Sequence, residues 1–169
     1  METTRDITGK VAVVTGGGSG IGKGIALALA AEGVRVAVCG RREQPLQDTM
    51  AQIVAEGGEG LAISADVSLE EDVQRLVEEI RSAWGAVDIL VNNAGIGGGS
   101  AVHAHDVAAW DRIMAVNLRG PFLMAHAVLP EMRQRGSGHI INISSESGLE
   151  YYRGNGAYGV SKHALNALG

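Results

Sequence analysis

With 169 residues, the chain has the length of one ordinary domain, enough to bury a single core. Apolar residues make up 46% and charged residues 20%, the mix of a soluble globular protein, and a net charge of −5 supplies no basic surface for nucleic acid. The lone cysteine, Cys39, excludes an internal disulfide; the polar start Met1-Glu-Thr-Thr-Arg-Asp6 carries no apolar signal core, and no apolar run reaches membrane-spanning length, so a cytoplasmic protein with no membrane partner is expected.

Val11-Ala-Val-Val-Thr15 is an apolar strand that breaks into Gly16-Gly17-Gly18-Ser19-Gly20-Ile21-Gly22 and then turns helical as far as Glu32, with Gly33 ending the helix. Small side chains let the backbone approach a ligand, and the free N–H groups at the helix start suit a phosphate. The strict Gly-x-Gly-x-x-Gly fingerprint is absent from this turn, where the spacing is Gly16-x-x-x-Gly20-x-Gly22. Gly17 to Lys23 also fits the opening of a P-loop, but Gly24 stands where that motif needs a Ser or Thr hydroxyl for magnesium. Phosphoryl transfer is therefore a distant alternative.

Arg35-Val-Ala-Val-Cys39 is a second strand, with Cys39 a small buried packer rather than a reactive thiol. In a dinucleotide fold the residue past this strand, about 20 beyond the glycines, selects the cofactor at the ribose 2′ position. Gly40-Arg41-Arg42 stands there without an acid, so a 2′-phosphate would meet two cations. The expected cofactor is NADP; in the alternative, NAD, the two arginines are solvated surface residues.

Pro45 and Gly57-Gly58 frame the next helix, with Leu46, Met50, Ile53 and Val54 on one face. Leu61-Ala-Ile-Ser64 is strand three, followed by Asp66-Val67 at the sheet edge, where either an adenine ring could sit or the acid serves only local hydrogen bonding in a turn. Ser68-x-x-Glu71 has the form of a capping box for a helix in which Val73, Leu76, Val77, Ile80 and Trp84 repeat at core spacing. Val87 to Val91 is strand four, running into Asn92-Asn93-Ala94-Gly95. A P-loop enzyme needs a strand-end acid there for magnesium, whereas asparagines cross-link backbone turns. His103 and His105 lack carboxylate or cysteine companions, so no metal site is expected.

From Asp106 to Arg135 the pattern is helical but interrupted at Asn117, Gly120, Pro121 and Pro130, which predicts a bend with Asn117 beside free carbonyls. His139 to Ile143 is strand five, and Ser144-Ser145 sits at its carboxyl end, which borders the ligand crevice in an open parallel sheet. Tyr158-Gly-Val-Ser-Lys162 places a phenol and an ammonium on one helical face. A free phenol, with a pKa of about 10, exchanges protons poorly at neutral pH, and a nearby ammonium stabilises its anion, which suits a general acid or base.

Thr15-Gly16-x-x-x-Gly20-Ile21-Gly22, Asn92-Asn93-Ala94-Gly95, Asn117, Ser145 and Tyr158-x-x-x-Lys162, in this order and spacing, resemble the classical short-chain dehydrogenase/reductase family. The likeness runs from the first strand to the end of the chain and is strongest toward 3-oxoacyl-thioester reductases and sugar-alcohol dehydrogenases. It implies an α/β doubly wound Rossmann-type parallel sheet of order 3-2-1-4-5 in a single domain over residues 1–169. It also implies hydride exchange between NAD(P) and a ketone or secondary alcohol. By the same resemblance Tyr158 transfers the proton, Lys162 supports it and holds the cofactor ribose, Ser145 hydrogen-bonds the substrate oxygen, and Asn117 holds a relay water. The implied cofactor contacts are Thr15, Gly16, Ser19, Gly20, Ile21, Gly22, Arg41, Arg42, Asp66, Val67, Asn93, Ala94 and Gly95, joined by Tyr158 and Lys162. Family members continue beyond the point matching Gly169 with further strands, a substrate lid and oligomer contacts. Without them, strand five is expected to be an open edge, a homo-oligomer is weakened, and a non-catalytic dinucleotide-binding remnant is the alternative to an active reductase.

Overall fold

Five short strands lie side by side, all parallel, in the order β3-β2-β1-β4-β5. They are β1 Val11–Thr15, β2 Arg35–Gly40, β3 Gly60–Ser64, β4 Ile89–Asn92 and β5 His139–Asn142. The computed structural model describes residues 6–169, so the polar stretch Met1 to Arg5 that bears on export lies outside the described residues. Helices α1 Gly20–Ala31, α2 Glu43–Ala55, α3 Glu70–Trp84, α4 Val107–Met114, α5 Gly120–Arg135 and α6 Gly156–Leu168 complete the αβ alternation.

All five residues of β1 are buried, because helices cover both faces of a parallel sheet and its central strands read as unbroken apolar runs. Alternate side chains serve two cores. Ala12, Val14, Val36 and Val38 meet Ala26, Ala30, Leu46 and Ile53 of α1 and α2. Val11, Val13, Ala37 and Leu90 meet Leu76 and Ile80 of α3 and Leu123, Met124 and Val128 of α5. Each fully buried Val, Leu or Ile contributes roughly 1.5–3 kcal/mol before entropy is charged against it. At the other extreme β5 forms one edge of the sheet, and its Ile141 is 46% exposed. Asn92 Nδ2 donates to Asn142 Oδ1 at 2.9 Å and ties this edge to β4.

Three local expectations change. The capping box does not form: Leu69 precedes α3, and Ser68 instead gives both its N–H (3.0 Å) and its hydroxyl (2.6 Å) to Asp66 Oδ1. The Ser68 side chain closes the turn before the helix, and α3 begins one residue later than the box requires, with Leu69 at its cap position. The helix around Asn117 widens rather than breaking, because Ala115–Arg119 forms one π turn directly between α4 and α5. Pro121 brings no N–H into this continuous helix, because Arg119 and Gly120 keep helical φ and ψ, and it leaves a carbonyl of the widened turn without its helical donor. Strand four starts at Ile89 rather than Val87.

Cys39 is fully buried, and burial pushes its thiol up to about 12. It should therefore resist an aromatic disulfide reagent in the folded protein and react at once in urea; fast labelling of the native chain would contradict this placement. A thiol raised by folding contributes fully below its unfolded range and loses that contribution as pH climbs toward its folded value. Stability should accordingly decline from about pH 9 upward, and Cys39→Ala should flatten that decline.

Candidate functional site

The glycine turn between β1 and α1 is held from two sides. Gly16 N and Gly17 N both donate to Cys39 O, at 2.7 and 3.2 Å, which pins the turn to β2. From β4, Asn93 Nδ2 donates to Thr15 O at 2.8 Å, while Thr15 Oγ1 accepts from the N–H groups of Asn93 (3.0 Å) and Ala94 (2.9 Å). Thr15 and Asn93 thus weld the ends of two adjacent strands. Gly16 and Gly20 adopt φ of +67° and +54°, a left-handed backbone that L side chains rarely take. Ser19 precedes α1 without capping it, and the first turn carries no acid, so its N–H groups face the groove without a competing carboxylate.

A groove of about 380 Å³ opens beside this turn. Gly16, Ser19, Ile21 and Gly22 form one wall, Arg41 and Arg42 flank it, Asp66 and Val67 face it, and Asn93, Ala94 and Gly95 extend it. Those eleven expected residues meet in one place. Thr15, at 2% exposure, lies beneath as a brace, and Gly20 lies outside the lining with open space around it. Tyr158 and Lys162 also lie outside the lining, but a Cβ built on Gly95 would sit 3.7 Å from Lys162 Nζ and 3.5 Å from Asn117 Oδ1.

Lys162 is 4% exposed and donates from Nζ to Ile143 O at 2.7 Å. Burial lowers its pKa from the ordinary lysine value. The ammonium stands 5.7 Å from the centroid of the Tyr158 ring, so the two share one face of α6 as the spacing requires.

Asn117 is fully buried in the π turn. Its Oδ1 accepts from Ile96 N at 2.8 Å, and its Nδ2 donates to Ile96 O at 3.0 Å and Ser161 Oγ at 3.1 Å. The side chain therefore locks the loop after β4 onto α6. Ser145 Oγ accepts from Ser147 N at 3.2 Å and caps the short 3₁₀ turn Glu146–Gly148. That turn is docked on α6 by Asn155 Nδ2 to Ser147 Oγ and Asn166 Nδ2 to Gly148 O, both at 2.9 Å.

The family described as short chain dehydrogenase matches residues 10–169. The chain belongs to the short-chain dehydrogenase family of oxidoreductases. An uncharacterized oxidoreductase of Staphylococcus saprophyticus is 41% identical over 165 residues, covering 96% of this chain and 70% of the relative. A second, from Staphylococcus aureus, is 37% identical over 162 residues and is covered to 69% of its length. Among solved structures, a metagenomic short-chain oxidoreductase in complex with NADP superposes with a TM-score of 0.93 at 40% identity, over 96% of this chain and 74% of that one. A single-residue variant of the actinorhodin polyketide ketoreductase with NADPH gives 0.91 at 37% identity, over 94% and 62%.

In this short-chain dehydrogenase the groove also uses residues that sequence reasoning missed: Gly18, Gly40, Pro45, Leu46, Ala65, Ile96 and Val116. A Cβ on Gly18 would lie 3.0 Å from Pro45 Cβ, so the start of α2 closes the wall beside the arginines. Pro45 is visible in the sequence as a helix-start signal, but nothing local says that it faces the glycines. His105 packs edge-on against Trp110 at 6.0 Å, with Nδ1 3.1 Å from Ser100 Oγ. Among the described residues no helix is long and apolar enough to cross a membrane.

Proposed function

We propose that this oxidoreductase exchanges hydride between NADP and the carbon of a ketone or secondary alcohol, with Tyr158 giving or taking the oxygen's proton. The observation that carries the reading is the Lys162 ammonium, 4% exposed, set beside the Tyr158 ring and behind Gly95 at the end of the groove. A buried cation beside a phenol is costly to keep and serves to stabilise negative charge on that phenol.

The groove fits an extended dinucleotide on its own features. Bare N–H groups at the start of α1 suit a pyrophosphate, Asp66 and Val67 form an adenosine wall, and two exposed arginines stand at its flank. Bound there, the nicotinamide supplies the hydride. The side chains supply the rest. Tyr158 moves the proton, and the Ser145 hydroxyl donates to the substrate oxygen where alkoxide charge develops. Lys162, already anchored on Ile143 O, would have its remaining N–H donors available to the phenol and to the ribose of a bound dinucleotide. Because the Asn117 amide is spent on Ile96 and Ser161, a relay water there falls to main-chain carbonyls of the widened turn.

Arg41 and Arg42 support NADP over NAD, as do the two solved neighbours that hold NADP and NADPH. NADPH should bind about 10–100-fold more tightly than NADH by fluorescence titration, the effect of one or two charge-assisted contacts to a 2′-phosphate. Arg41→Ala with Arg42→Ala should erase the difference. Equal affinities in the parent protein would remove NADP as the cofactor. Tight NADPH binding without turnover of any carbonyl in a broad panel would instead support a dinucleotide-binding module.

A further inference from the structure

The π turn that carries Asn117 also reaches the far end of the groove. Val116 lines it beside Asp66 and Val67. Three residues on, Arg119 Nη1 donates to the carbonyl of Ser68. Gly120 is buried against Val67: a Cβ built there would stand 2.9 Å from Val67 Cγ2 and 3.3 Å from Val67 O. The loop after β3 therefore rests on bare backbone at Gly120 and is tethered by Arg119.

Its other side is held by α3. Asp72 Oδ2 accepts from Asp66 N at 2.7 Å, and Arg75 Nη2 donates to Ser64 O at 2.8 Å. Asp66 itself spends Oδ1 on Ser68. The segment Asp66 to Ser68 is thus clamped between α3 and the π turn. The widened turn matters here because one extra residue rotates everything after it by about 100° relative to a regular helix. That rotation decides whether residues 119 and 120 face the loop.

We propose that Arg119 and Gly120 are positioning residues for the adenosine end of the dinucleotide site, holding the Asp66–Val67 wall in place from the junction of α5 with the π turn whose Asn117 fixes Ile96 at the other end. The inference rests on the NADP reading above. It gives the π turn a second task, since a single widened turn sets both ends of the groove.

The test is calorimetric and needs no turnover. Adenosine 2′,5′-bisphosphate reports the adenosine end, and inorganic pyrophosphate reports the glycine turn alone. Gly120→Ala and Arg119→Met should each weaken the bisphosphate by about three- to tenfold. Arg119→Lys, which keeps a charged donor, should recover most of that affinity, and pyrophosphate should bind all four proteins alike. Arg119 is exposed, so its variants probe the tether without touching the core. Unchanged bisphosphate affinity in both Gly120→Ala and Arg119→Met, or equal loss of both probes, would overturn the proposal. A parent protein that binds pyrophosphate but not the bisphosphate would instead break the adenosine reading beneath it.

Discussion

Tyr158→Phe should lower turnover about 10²–10⁴-fold, the usual worth of a positioned proton donor, while leaving NADPH affinity within about twofold. The substitution removes one oxygen and keeps the ring. Lys162 retains its bond to Ile143 O and its place 5.7 Å from the ring centroid, because neither contact uses the hydroxyl. The glycine turn is held by Cys39 and Asn93, and Asp66 by Ser68 and Asp72, none of which belongs to α6. kcat and kcat/KM should therefore fall together, the pattern of a group that acts only in the transition state. Stopped-flow oxidation of NADPH with any carbonyl that the parent protein reduces would measure it. Turnover retained within tenfold would take Tyr158 out of the proton-transfer role and leave Ser145 or a water to supply the proton.

The parts of this site legible in the sequence are those set by spacing along one element. Tyr158 and Lys162 share a face because they are four apart on α6, and the glycine turn sits at the end of β1 because it follows that strand directly in the chain. The alternation of strand and helix gives a parallel sheet, while its order 3-2-1-4-5 is what the family resemblance implies. The parts that escape depend on how one element lies against another. Val116 lines the groove from a turn that is π-wound, and Asn117 sits in a helix that widens where proline and glycine suggest a break. The same limit explains Ser68: the local pattern of a capping box is present, yet Asp66 captures the hydroxyl first. Pattern matching weighs a serine against the helix after it and cannot weigh the carboxylate before it.

Gly22→Ala should weaken NADPH binding by about 30–100-fold and lower the melting temperature by roughly 4–10 °C, whereas Gly24→Ala, two residues on, should do the opposite to stability. A Cβ on Gly22 would lie 2.4 Å from both Asn93 Nδ2 and Gly16 O, distances that no real side chain tolerates. Relief requires moving Asn93 or the glycine turn, and both line the groove and hold each other through Thr15. Overpacking of this kind costs about 1–3 kcal/mol, which corresponds to the stated shift in a chain of this size. The free protein relieves this strain by shifting the turn, whereas a dinucleotide needs the turn where it now stands, so an extra ~2–2.7 kcal/mol borne only in the bound state corresponds to about 30–100-fold in affinity. Gly24 is exposed on α1 with nothing within 4 Å of a built Cβ, so alanine there only removes the entropy cost of a helical glycine. It should stabilise the fold by about 0.5–1 kcal/mol and leave NADPH binding unchanged. Thermal melts with and without NADPH separate the two effects. A Gly22→Ala protein that binds NADPH like its parent would show that the weld between β1 and β4 tolerates a methyl group, and that the turn is not a rigid phosphate cradle.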